Sequence, residues 1–165
     1  MKTPSGRIRL HLGSGDKPWP LWVNVDAHGD PDIVADIAKK LPFETDYADE
    51  IQAIHVVEHI PRLSVDNMLA DWMRVLKRGG KIGIEVPCLN KIAQMIVDGE
   101  PDIQMTTLGI FGDPRDKKHG MMHQWSWTRE ELTNVMRNVG FKDIQEVKPL
   151  FHVERRDMRI EGVKP

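Results

Sequence analysis

Four places along the chain gather side chains able to do chemistry. Gly13-Ser14-Gly15-Asp16 is a glycine turn closed by a carboxylate, and Asp26 and Asp36 follow it at short intervals. His55-Val56-Val57-Glu58-His59 sets two imidazoles and a carboxylate within five residues, and His119, His123, Trp125 and Trp127 crowd one stretch further on. Glycines let a backbone approach a ligand closely, and a carboxylate just past a second strand can accept both hydroxyls of a ribose. Singly, GSGD is a tight turn and Asp26 a solvated acid. In this order they describe a nucleoside site.

The H-x-x-E-H spelling of residues 55–59 is also a zinc-binding pattern when it lies on a helix. Ile51, Ile54, Val56 and Val57 are β-branched, however, and the next helix is expected only after Pro61. On a strand rising ~3.3 Å per residue, histidines four apart lie ~13 Å from each other, too far for zinc–nitrogen bonds of ~2.1 Å. No metal is therefore expected there. A zinc hydrolase, with Glu130 or Glu131 as a distant third ligand on a helical reading, is the lesser alternative. His119 and His123 stand four apart, but Gly120 between them argues against a helix that would join them on one metal.

The elements that must position these groups alternate. Residues 7–12, 21–26, 32–37, 50–57 and 81–86 read as strands, the last closed by Pro87. A helix carries Val65, Met68, Leu69, Trp72, Met73, Val75 and Leu76 at helical spacing, with Ser64 as expected N-cap and Gly79-Gly80 beyond its end. A second helix is punctuated by the Thr128–Glu131 capping box and Gly140, with Leu132, Val135, Met136 and Val139 on one face. Strands are expected again over 141–147 and 150–160. The expected fold is α/β, a Rossmann-like, doubly wound, mostly parallel sheet covered on both faces. Ligands bind such sheets beyond the carboxyl ends of the strands, where Gly13–Asp16, Asp26, Asp36 and His55 emerge. Residues 88–127, with a short helix over 90–98, break the rhythm and read as a functional insertion.

The kind of nucleoside is partly decidable. A dinucleotide fingerprint requires a third glycine opening a helix whose N-terminus binds the diphosphate. Pro18 occupies that position here and Pro20 follows, and only residues 13–22 join the first two strands. A crossover with its helix normally takes ~10–12 residues or more. The first helix must be missing or reduced to a turn. S-adenosylmethionine has no phosphate and does not need that helix, so it is favoured over NAD.

HLGSGDKPWPLWVNVDAHGDPDIVADIAKKLPF, ADEIQAIHVVEHI and WMRVLKRGGKIGIEVP, in this order, resemble the class I S-adenosylmethionine-dependent methyltransferases of the type 11 kind. The likeness is to short members with a GSG or GCG first motif followed by P-x-W-V-N-V-D, and it spans residues 7–147, MHQWSWTREEL included. The resemblance implies that Gly13, Ser14 and Gly15 pack against the methionine and ribose of the cofactor S-adenosyl-L-methionine. It further implies Asp26 on the ribose diol, Ala27 near adenine, Asp36 and Ile37 at the adenine edge, and His55 near the sulfonium. Glu58 and His59 match that family's acceptor-side EH pair. His59 or His123 would then take a proton from the acceptor, with Glu58 orienting a neighbour. The sequence departs from the family at His11, where an acid is usual, and at Lys17, where a third glycine is usual.

Composition bounds the rest. With 165 residues, 23 Lys+Arg against 25 Asp+Glu and a net charge of −2, one domain over 1–165 is expected, without the basic face of a nucleic-acid binder. Cys88 is the only cysteine, which excludes an intrachain disulfide and a multi-cysteine zinc site. The N-terminal residues show no signal-peptide h-region, and no apolar run reaches the ~20 residues of a membrane span. A cytoplasmic location without membrane contact is expected. The expected function is methyl transfer to a small-molecule or glycan acceptor, at oxygen, with residues 88–127 forming the acceptor side and Trp125 and Trp127 as candidate aromatic walls. A non-catalytic module that binds S-adenosylmethionine or adenosylhomocysteine is the alternative. Arg155, Arg156 and Arg159 alternate with acids and read as a solvated strand face. A missing first helix is expected to leave apolar sheet surface that a homodimer could cover.

Overall fold

The structure, a computed structural model, describes residues 6–115, 122–151 and 153–165; His119 lies outside the described residues. The strands are β1 (Arg9–Leu12), β2 (Val23–Asp26), β3 (Ile33–Val34), β4 (Ala48–Ile54), β5 (Leu76–Pro87), β6 (Lys142–Val147) and β7 (Asp157–Val163). They form a seven-stranded sheet in the order β3-β2-β1-β4-β5-β7-β6. Pairs among β1 to β5 are parallel, and β7 runs antiparallel to both its neighbours. This is the Rossmann-like architecture expected from the sequence. No helix among the described residues is long and apolar enough to cross a membrane.

The helices are α1 (Arg62–Val75), α2 (Leu89–Val97), α3 (Thr107–Phe111) and α4 (Arg129–Val139). The N-cap of α1 is Pro61 and not Ser64, whose N–H instead donates to the Pro61 carbonyl at 2.8 Å inside the first turn. A proline's fixed φ suits a helix start, which places the boundary three residues earlier. At α4 the expected punctuation forms: the Thr128 hydroxyl accepts the Glu131 N–H at 3.2 Å, and Gly140 turns left-handed at φ 118°. No helix occurs anywhere in residues 13–47, so the crossovers after β1, β2 and β3 are all bare loops. Pro18, Pro20, Pro31 and Pro42 punctuate them.

The two sheet faces differ sharply in chemistry. On one, Leu10, Leu12, Val25, Ile51, Ala53, Ile82, Ile84, Val86, Met158 and Ile160 are buried together with Leu69 and Trp72 of α1 and Leu132 and Met136 of α4. On the other, register places His11, Asn24, Gln52 and Gly83 side by side, with Glu85 beside Arg159 one step along. This second face is polar yet buried. The Arg159 guanidinium donates to Gln52 Oε1 (2.6 Å) and Glu161 Oε1 (2.9 Å), and the Glu85 carboxylate accepts the N–H groups of Leu150 (2.9 Å) and Phe151 (3.2 Å). His11 stacks on Trp19 at 4.0 Å between ring centroids, and Trp19 packs on Trp22 and Phe151.

Two expectations are thereby corrected. Arg159 is 1% exposed and part of the interior, not a solvated face. On β1, β2 and β4 the lost helices expose no apolar side chains, because the positions on that face are polar and are sealed by a thin aromatic layer; at the sheet edge Val34 of β3 is exposed. Outside that layer Leu21, Leu150 and Phe151 remain exposed. The network also dictates Gly83: a Cβ there would overlap the Arg159 guanidinium and Gln52 Oε1. Gly83→Ala is expected to cost about 1–3 kcal/mol, as overpacking of a filled interior does. A denaturant titration checks this, and an unchanged midpoint would contradict it.

Candidate functional site

At the carboxyl end of β1 the chain folds back on β2, the N–H groups of Gly13 and Ser14 both donating to the Val25 carbonyl (2.8 and 3.4 Å). Gly13 sits at φ 72°, and a Cβ on it would collide with Val56 leaving β4. Asp26 then ties the turn down. Its Oδ2 accepts the Gly15 N–H at 2.8 Å and its Oδ1 accepts the His28 N–H at 2.8 Å. Each carboxylate oxygen has a second acceptor position, so the ribose-binding capacity is intact. Asp36 accepts the Ala38 N–H at 3.0 Å, while the Ile37 carbonyl is pinned to α1 by the Trp72 indole at 3.1 Å.

A cavity of ≈ 910 Å³ opens over these strand ends. Gly13, Ser14, Gly15, Asp26, Ala27, Asp36 and Ile37 line one side of it, as does Lys17. His55, His59 and His123 line the far end, and Gln104, Leu108, Gly109 and Asp113 of the insertion form the opposite wall. Ser14 is buried and its hydroxyl has no hydrogen-bond partner among the described residues, none of which comes within 4 Å of where a Gly15 Cβ would point. An orphaned hydroxyl beside an open glycine backbone, with Asp26 behind it, fits the ribose and methionine portions of an adenosylmethionine. His11 lies on the polar sheet face instead, its ring Nδ1 3.2 Å from Asn24 Oδ1.

The far end is built around a short reversal. β4 stops at Ile54, His55 takes φ 52° with its N–H on the Glu85 carbonyl (2.8 Å), and Val57–His59 form a 3₁₀ turn. The strand therefore does not reach Val57, and the ~13 Å separation argued from it does not apply. The His55 ring lies between two carboxylates, Nδ1 3.2 Å from Glu58 Oε1 and Nε2 3.4 Å from Asp157 Oδ2. Burial lowers its pKa, but the flanking Asp157 and Glu58 outweigh that and hold it up at about 9. Burial likewise pushes the Glu58 carboxyl up, and His55 beside it more than compensates, leaving it below the usual range. Asp157 is held down to about 2 against its own burial by His55 and Arg156.

Loop 122–127 is fastened over this turn, the Gln124 and Trp125 N–H groups donating to the Glu58 carbonyl at 2.7 and 3.1 Å. His123 is thus brought to His59, their ring centroids 4.9 Å apart. Burial lowers the His123 pKa, which keeps that ring neutral at neutral pH. One donor atom from each of Glu58, His59 and His123 lies within 4.8 Å of the other two. The zinc pattern does not form as spelled, since His55 is occupied by carboxylates and Glu131 is bound to Arg62 and Trp125. Neither tryptophan lines the cavity. Trp127 is fully buried, and Trp125 donates to Glu131 Oε2 at 3.0 Å, so the aromatic-wall expectation is not met. Asp157 was not anticipated, because only the antiparallel pairing of β7 on β5 brings it here, Pro87 facing Asp157.

Residues 22–84 match the family model described as a methyltransferase domain. No curated protein sequence matches the chain. Among solved structures it is similar to an S-adenosylmethionine-dependent methyltransferase of Archaeoglobus fulgidus (TM-score 0.65, 17% identity, covering 96% of this chain and 86% of that one). It is similar also to one of Methanosarcina mazei (TM-score 0.66, 14% identity, 96% and 92%). A third likeness is to a Haloferax volcanii methyltransferase solved in complex with the Trm112 methyltransferase activator (TM-score 0.61, 16% identity, 97% and 83%). At these identities the likeness is one of fold. The chain thus shares the fold of these S-adenosylmethionine-dependent methyltransferases, and its residues 22–84 carry the match to a methyltransferase domain.

Proposed function

We propose that this chain transfers the methyl group of S-adenosylmethionine to an oxygen of a small-molecule or glycan acceptor. The observation that carries the reading is a single cavity with the glycine turn, Asp26 and Asp36 on one side and three histidines at its end. Asp26 accepts the ribose hydroxyls, Asp36 accepts the exocyclic amine of adenine beside Ile37, and the Ser14 hydroxyl finds its missing partner on the bound cofactor. The cofactor supplies an electrophilic methyl carbon with a neutral thioether as leaving group. Holding an acceptor oxygen in line with that carbon contributes up to ~7–11 kcal/mol.

A hydroxyl acceptor must also lose its proton. The Nδ1 atoms of His59 and His123 face the carbonyls of Met122 (3.3 Å) and Ile110 (3.2 Å). A carbonyl only accepts, so Nδ1 carries the hydrogen on each ring and Nε2 is the atom that can take a proton. Such a base contributes ~10²–10⁴-fold. The test is transfer of label from methyl-tritiated S-adenosylmethionine to a panel of phenols, catechols and sugars. Label on an oxygen of one class is the expected result. Binding of the donor with no transfer to any acceptor would instead favour the non-catalytic module.

A further inference from the structure

We propose that Glu58, His59 and His123 are the ligands of a divalent transition-metal ion at the acceptor end of the cavity. The three donor atoms already lie within 4.8 Å of one another, close enough for one ion to take bonds of ~2.0–2.2 Å to each. Two further observations point to a ligand. Glu58 is 1% exposed, and beyond the His55 ion pair on Oε1 its Oε2 has no hydrogen-bond partner among the described residues. Both histidines are oriented as metal-binding histidines are: Nδ1 faces a main-chain carbonyl, which fixes the tautomer with the hydrogen on Nδ1 and makes Nε2 the atom a metal would take.

Main-chain hydrogen bonds hold this geometry. The Glu58 carbonyl accepts two N–H groups from the His123 loop, and the His123 N–H donates to the Phe111 carbonyl at 3.0 Å. Two imidazoles and one carboxylate suit a first-row ion such as Fe²⁺, Co²⁺ or Zn²⁺ better than Mg²⁺ or Ca²⁺, which take oxygen ligands. Three protein ligands leave coordination positions open, and His59 and His123 line the cavity. What the ion does there rests on the methyl-transfer reading and replaces the histidine base in it: with both imidazoles on the ion, an acceptor hydroxyl bound to it becomes acidic, as metal-bound water does. Its proton passes to solvent, and the oxygen lone pair forms the new O–C bond as the C–S pair returns to sulfur.

The test uses Co²⁺ as probe on protein dialysed against chelator, read by visible d–d absorption, with S-adenosylhomocysteine binding measured on the same samples. The expected result is one saturable equivalent of Co²⁺. His123→Ala and His59→Ala should each weaken it by more than the ~10–100-fold that loss of a mere supporting neighbour costs, with folding verified by circular dichroism. Glu58→Gln, which keeps the shape but removes the charge, should weaken it as well. No saturable Co²⁺ binding, or equal binding by native protein and His123→Ala, overturns the proposal. Homocysteine-adduct binding without Co²⁺ binding removes the metal site and leaves the methyl-transfer reading standing; Co²⁺ binding alone does the reverse.

Discussion

Asp26→Ala is expected to weaken S-adenosylhomocysteine binding by about 10²–10⁴-fold while the protein stays folded. The carboxylate is assigned two hydrogen bonds from the ribose diol, each worth ~1.5–3 kcal/mol when the acceptor is charged. At about 1.4 kcal/mol per tenfold, their loss gives that range. Asp26 also holds the Gly15 and His28 N–H groups at 2.8 Å, so the alanine variant loosens the turn that faces the ligand. Asp26→Asn keeps one acceptor oxygen and should fall between the two. Calorimetric titration of the three proteins gives the ranking, and equal affinities would remove Asp26 from the site.

Gly13→Ala should be the most damaging single methyl group in the chain. The position is left-handed at φ 72°, and the new Cβ would collide with Val56. The backbone conformation costs ~1–2 kcal/mol for a residue with a Cβ and overpacking ~1–3 kcal/mol more. At ~2–4 °C per kcal/mol for a chain of this size, the thermal midpoint should drop by roughly 4–20 °C. Gly15→Ala is the internal comparison. It has φ 51° but nothing within 4 Å of its Cβ, so it should lose only the conformational part and mainly affect ligand binding. Equal thermal shifts for the two variants would show that Val56 does not press on the turn.

The mostly parallel sheet, the missing first helix and the meeting of Gly13, Gly15, Asp26 and Asp36 at one cavity were legible because local chemistry dictates them. A ten-residue connection with two prolines cannot hold a crossover helix, and Thr128, Glu131 and Gly140 mark α4 by capping alone. The polar sheet face was also written in the sequence. Arg9–Leu12 (RLHL), Val23–Asp26 (VNVD) and the IGIEV of β5 alternate apolar and polar residues. Central strands covered by helices on both faces read instead as continuous apolar runs. Read that way, the alternation predicts one helix-covered face.

The acceptor end was less legible for physical reasons. Whether residues 55–57 continue β4 depends on His55 adopting φ 52°, which no periodicity encodes in a non-glycine residue. Asp157 reaches His55 only through a pairing with residues some seventy positions earlier, and Leu150 and Phe151 lie over Glu85 where an early start of β7 was expected. His123 meets His59 through two main-chain hydrogen bonds to Glu58, which leave no side-chain signature. The histidines could be named from the sequence, but their mutual geometry could not.

The central claim is that the cavity over β1, β2 and β4 holds an adenosylmethionine. Calorimetric titration of the native protein with S-adenosylhomocysteine tests it most directly. Saturable binding of one equivalent is the predicted result. A well-folded protein that gives no saturable binding would contradict the account and assign the glycine turn and its carboxylates to another ligand.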